Sequence, residues 1–203
     1  MPDPVTIDFY LGLGSRYSYL AATQIARIEA AHHCVFRWKP IASGLLMDRR
    51  GTNPFKAAML AGQYDPAYRA RDATRWAAYY GVPFMEPVNL PADPTLLARV
   101  ALAAGAQGQC VAACWKLFRC LFVEQRAIDD TALHDLATEL DLDTAAFLAA
   151  LDAPSIHIRH DALVDEAMAR GVFGVPSFLL GDQLFWGNDR LVLLEAKLSR
   201  RRS

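Results

Sequence analysis

LGLGSRYSYLA, residues Leu11 to Ala21, is the stretch on which the fold turns. Upstream, Val5, Ile7, Phe9 and Leu11 alternate with Thr6, Asp8 and Tyr10, the two-residue period of a β-strand with one packed face. Downstream, Tyr17, Leu20, Ala21, Ile25 and Ile28 recur at helical spacing, which predicts a helix over 17–33. The junction holds two hydroxyls three residues apart, Ser15 and Ser18. A serine just before a helical run is a preferred N-cap, because its oxygen accepts from a first-turn N–H that has no partner inside the helix. CVFRWKP (34–40) then returns to β-branched and aromatic residues before a proline. The order strand, helix, strand in about 40 residues predicts a parallel pair with a right-handed crossover.

From Ile41 to about Leu151 the chain is rich in Ala and Leu and reads as a helical block. KAAMLAGQYDPAYRARDATRWAAYYG (56–81) reads as helix broken near Asp65-Pro66 and stopped by Gly81 and Pro83. Asp93-Pro94 offers a cap followed by proline at the first helical position, and further helices are expected over 107–124, 130–139 and 143–151. One more amphipathic helix runs from about Ser155 to Gly171. After it, SFLLG and QLFWG are two short apolar runs turned by Gly181-Asp182, a hairpin signal. Asn188 or Asp189 is then expected to cap a last helix packed through Leu191, Leu194 and Leu198. The predicted order is βαβ, a helical block, then αββα.

Composition narrows the function classes. An apolar fraction of 53% over 203 residues supports a well-filled core, and 21 basic against 22 acidic residues argue against a broad nucleic-acid-binding or membrane-binding face. MPDPVTIDFY has neither a basic n-region nor an apolar h-region, and no run approaches the length of a membrane span, so a cytoplasmic protein is expected. Cys34, Cys110, Cys114 and Cys120 form no CxxC pair, and Cys110 and Cys114, four apart in a helical pattern, read as buried small hydrophobes. Adjacent His32 and His33 point in different directions on a helix, so no metal site is expected.

A βαβ half and an αββα half around one sheet resemble the thioredoxin fold, α/β with a large all-helical insertion. On that resemblance, residues 1–43 and 155–203 are its two parts and 44–154 the inserted helical domain. GSRYSYLA, RWAAYYGVP, GVFGVPSF and FWGNDRL, in this order along the chain, resemble the 2-hydroxychromene-2-carboxylate isomerase family, kin of kappa-class glutathione transferases and DsbA-like oxidoreductases. The resemblance implies that Ser15 and Ser18 stand where a thioredoxin relative carries its two redox cysteines. Disulfide exchange is thereby removed while the helix start, which favours an anion such as a thiolate, is kept.

The same resemblance implies a cofactor, a substrate and their contacts. Glutathione is the expected cofactor, with Ser15 as the catalytic hydroxyl beside its sulfur. The Val175 backbone, turned by a cis Pro176, would pair with the cysteinyl backbone like an added strand. Trp186, Gly187, Asn188 and Asp189 are further cofactor-binding positions, of which Asn188 and Asp189 would take the glutamyl end, an Asp being suited to accept from an α-ammonium. Met47, Arg49, Asn53 and Leu90 are the substrate-side candidates for a conjugated aromatic carboxylate, with Arg50 nearby. Departures concentrate on that side: Arg16 stands where the family commonly has proline, Met47 where a basic residue is expected and Leu90 where a tyrosine is expected. The family reaction interconverts 2-hydroxychromene-2-carboxylate and trans-o-hydroxybenzylidenepyruvate in aromatic catabolism, in proteins expected to be homodimers. Other readings are a kappa-like transferase or peroxidase, separable by retained glutathione in the product, and a non-catalytic thioredoxin-fold binding protein, which would bind no glutathione.

Overall fold

The computed structural model describes residues 3–56, 60–87 and 93–201. Strand β1 (Val5–Leu11) leads into helix α1 (Arg16–His32), and β2 (Cys34–Pro40) lies parallel to β1 with Val5 opposite Cys34 and Leu11 opposite Pro40. Strand β3 (Ser177–Leu180) runs antiparallel on the other side of β1, with Phe9 opposite Phe178, and β4 (Gln183–Trp186) completes the order β2-β1-β3-β4. This is the mixed sheet that the resemblance to a thioredoxin fold implied. Between the two halves run α2 (Ser43–Arg49), α3 (Pro66–Tyr80), α4 (Pro94–Ala106), α5 (Cys110–Phe122), α6 (Asp130–Glu139) and α7 (Thr144–Ala150). Helix α8 (Pro154–Ala169) precedes the β3–β4 hairpin and α9 (Leu191–Arg201) follows it.

The helix starts follow local chemistry. Asp65 accepts from the N–H groups of Ala67 and Tyr68 at 2.7 and 3.3 Å with Pro66 in the first turn, and Asp93 accepts from Thr95 at 2.9 Å with Pro94 next. Asp129 and Asp143 cap α6 and α7 in the same way. Two expectations need correction. The segment before Asp65 is not a continuous helix: its described residues form isolated 3-10 turns at Pro54–Lys56 and Gly62–Tyr64. Asn188 and Asp189 do not cap α9; they lie inside a 3-10 turn, Asn188–Arg190, that precedes it.

Burial of β1 also exceeds its alternating pattern, because the sheet is covered on both faces. Ile7, Phe9 and Leu11 join the larger core with α1, α4 and α5. Phe9 stacks on Phe178 with ring centroids 5.0 Å apart and meets the edge of Trp38 at 5.2 Å. On the other face Tyr10 packs with Ile41, Leu46, Val164, Val172 and Leu179 under α2 and α8, and Asp8 is buried there too. The larger core contains residues of both the sheet and the inserted helices. Among the described residues no helix is long and apolar enough to cross a membrane.

Candidate active site

Ser15 sits at the N-cap of α1 in an extended conformation, and its Oγ accepts from the Ser18 N–H at 3.3 Å. A capping hydroxyl spends a lone pair and keeps its hydrogen, and no acceptor for that hydrogen is found among the described residues. The first turn carries no acidic side chain to compete for an incoming anion. Ser18 plays a different part. Fully buried, its Oγ accepts from the Gly12 N–H at 3.2 Å and ties the β1–α1 loop to the helix. Gly12 is required because a Cβ there would come within 2.9 Å of Val175 Cγ2. Two loops far apart in sequence therefore meet beside Ser15.

The second of these loops carries the cis bond Val175-Pro176. Ser177 Oγ donates to the Gly174 carbonyl at 2.7 Å, and the Gly187 N–H donates to the Pro176 carbonyl at 2.9 Å, which draws the 187–189 turn alongside. The Val175 N–H and carbonyl have no partner among the described residues, so this short edge is open to a ligand backbone. Gly187 adopts φ +113, and a Cβ there would fall 2.3 Å from Asp189 Oδ1; only glycine leaves that carboxylate where it is. Asn188 is buried and its Nδ2 has no partner among the described residues, although its backbone carbonyl accepts from the Tyr80 hydroxyl at 3.3 Å.

Two cavities meet at Val175 and Trp186. One, of about 470 Å³, is lined by Ser15, Met47, Arg50, Thr52 and Phe173; the other, of about 580 Å³, by Arg69, Asp72, Pro176, Gly187, Asn188 and Asp189. Gln63 and Tyr64 line both. A wider groove of about 890 Å³ between α1, α3 and α9 borders Asp189 but does not reach Ser15.

Most of the residues expected from the sequence gather around these two cavities, and two of the described ones, Arg49 and Asn53, do not. Arg49 is committed to Asp165 at 2.7 Å and Asp161 at 2.6 Å on α8 and lines neither cavity. Asn53 donates to Asp48 at 2.8 Å and accepts from the Phe55 N–H at 3.0 Å, also outside both linings. Leu90 lies outside the described residues. Arg50, named only as a neighbour of the substrate-side candidates, lines the Ser15 cavity, and Arg69, Gln63, Tyr64 and Phe173 are lining residues not singled out from the sequence; of these four only Phe173, inside GVFGVPSF, carried a signal. Arg16, on the first turn of α1, pairs with Glu86 at 2.7 Å, leaving Arg16 Nη1 and Glu86 Oε2 buried and, among the described residues, without partners. Burial pushes the Glu86 carboxyl up against the opposing pull of Arg16 and Arg69. Cys114 is buried as expected, whereas Cys110, at the start of α5, is half-buried; Cys34 and Cys120 are buried as well. His160, buried under α2, accepts from the Ala42 N–H at 3.1 Å, and burial lowers its pKa, so it stays neutral and fixes the β2–α2 loop.

Comparison with known proteins agrees with this architecture. The model of the DSBA-like thioredoxin domain matches residues 6–199. The chain is 31% identical over 195 residues to a 2-hydroxychromene-2-carboxylate isomerase of Pseudomonas putida, covering 96% of this chain and 94% of that one. It is 31% identical over 205 residues to one of Sphingobium xenophagum, covering 95% and 97%. A solved structure of a 2-hydroxychromene-2-carboxylate isomerase superposes with a TM-score of 0.81 at 28% identity, over 96% of this chain and 95% of that one.

Proposed function

The chain belongs to the 2-hydroxychromene-2-carboxylate isomerase family of DSBA-like thioredoxin domains, and from that premise we propose that it is a glutathione-dependent isomerase of a conjugated aromatic carboxylate. The observation that carries the reading is a single one: the Ser15 hydroxyl, capping α1 with its hydrogen uncommitted, lines a cavity that shares Val175 and Trp186 with the cavity lined by Pro176 and Asp189.

The residues present fit the cofactor. The free Val175 backbone suits the cysteinyl residue, and Asp189 with the unpartnered Asn188 Nδ2 suits the amine and carboxylate of the glutamyl end. When bound, glutathione supplies a nucleophilic sulfur whose reversible addition to a conjugated carbonyl compound leaves the former double bond free to rotate. Ser15 donates a hydrogen bond toward that sulfur, and the start of α1 adds its partial positive charge, both favouring the ionised thiol at neutral pH. Arg50 lines the Ser15 cavity and, among the described residues, its side chain holds only the Val172 carbonyl, at 3.3 Å, so its remaining donors suit the substrate carboxylate. Met47, Phe173 and Trp186 supply apolar contact for an aromatic ring. A cytoplasmic homodimer is part of the same reading.

The test is product analysis by NMR with 2-hydroxychromene-2-carboxylate. Appearance of the trans isomer, dependent on glutathione and without net loss of free thiol, is expected. A stable thioether product would replace the reading with a transferase, and equal rates with and without glutathione would end it. Within this reading Gly187→Ala displaces the Asp189 carboxylate, and glutathione affinity measured by calorimetry is expected to fall about tenfold, the worth of one charge-assisted hydrogen bond.

A further inference from the structure

We propose that Arg69, on α3, is the receptor for the glycyl carboxylate of glutathione; the inference rests on the glutathione reading above and extends it to a residue outside the sequence motifs. Arg69 is half-buried, its guanidinium 4.7 Å from the ring centre of Phe55 and 5.6 Å from that of Tyr17. Tyr17 is itself fixed by its hydroxyl, which donates to Asp72 at 2.8 Å. Two aromatic rings against it orient the planar fork and limit its hydration, which is how a guanidinium is prepared for bidentate binding of a carboxylate.

What Arg69 lacks is an anion. Among the described residues no carboxylate lies within ion-pair distance of it, whereas Arg16, Arg27, Arg37, Arg49, Arg99 and Arg170 all have one. Withdrawing a cation from water without a counter-charge is costly, so an arginine kept half-buried in a cavity with none beside it points to a counter-charge on the ligand.

Elimination within the cavity identifies the group. Bound glutathione presents one ammonium and two carboxylates. The glutamyl pair is met by Asp189 and Asn188, which leaves the glycyl carboxylate. The cavity's other cation, Arg190, already sits 3.5 Å from Asp189, so Arg69 is the free one among the described lining residues.

Calorimetry with glutathione and its glycyl ethyl ester, on the wild-type chain and on Arg69→Met, decides the matter. The wild type is expected to bind the acid about tenfold more tightly than the ester; Arg69→Met loses about tenfold for the acid, leaves the ester unchanged and so removes the preference. Arg69→Lys, which keeps the charge without the fork, recovers part of it. Equal affinity of the wild type for acid and ester overturns the assignment even if the methionine variant fails to fold, and so does a preference that survives in a folded variant. In both of those cases glutathione still binds and the proposed function stands. Absence of saturable glutathione binding to the wild type at millimolar concentration removes both readings at once.

Discussion

Ser15→Ala is expected to lower glutathione-dependent isomerisation about a hundredfold, the usual consequence of deleting one hydrogen bond aimed at developing charge in an enclosed site. It is also expected to raise the pKa of the bound thiol toward the free value of about 8.5. Two roles of Ser15 must be separated, because its Oγ also accepts the Ser18 N–H and that cap alone is worth about 1 kcal/mol. Ser15→Asp makes the separation: aspartate caps a helix as well as serine does, so thermal stability returns, but it sets a negative charge against the sulfur, so turnover does not. Steady-state rates and the ultraviolet absorbance of the thiolate across pH read the two effects independently. If Ser15→Ala kept both turnover and thiolate absorbance, Ser15 would be a cap and nothing more.

The parts of the fold legible in the sequence are those fixed by neighbours along the chain. Alternation over Val5–Leu11, the hydroxyl at Ser15 and the aspartates before Pro66 and Pro94 act over a few residues, and each marks an element boundary that the structure shares. The cis bond at Pro176 was legible only through the family resemblance. Residues whose role depends on distant partners were not legible. Asp8 reads as the solvent side of a strand, yet α8 covers it from more than 140 positions away. Arg49 and Arg50 are adjacent in the same helical turn and point about 100° apart; the direction in which α2 docks on α8 sends the first to Asp161 and Asp165 and leaves the second at the Ser15 cavity. Arg69 sits in a run with no motif at all. Only the packing of Phe55 and Tyr17 around it, from the 3-10 turn and from α1, distinguishes it from a solvated arginine.

The distant partner that matters most for stability is the one around Asp8. This carboxylate, 2% exposed in the middle of β1, accepts from Arg37 Nε on β2 at 2.7 Å and from Arg170, the residue that ends α8, with Lys39 3.5 Å away. Lys39 in turn pairs with Glu166, which also accepts from the Tyr10 hydroxyl at 2.7 Å. One acid thus joins β1, β2 and α8. Burial raises its pKa, but the hydrogen bonds from Arg37 and Arg170 and the charge of Lys39 outweigh burial, and the net value lies below that of an ordinary aspartate. A carboxyl whose folded pKa is depressed contributes stability that is complete above its unfolded pKa, near pH 4, and is lost as pH falls through the lower folded value. Asp8→Ala is therefore expected to cost about 3 kcal/mol at neutral pH. That is the low end for breaking a buried pair, because Arg37 and Arg170 reach solvent and rehydrate once released. Urea unfolding at pH 7 reads this difference, and repetition at decreasing pH should show it shrinking below about pH 4 as the wild-type carboxyl takes up its proton. A difference independent of pH would mean that Asp8 acts through packing and hydrogen bonding, and not through its charge.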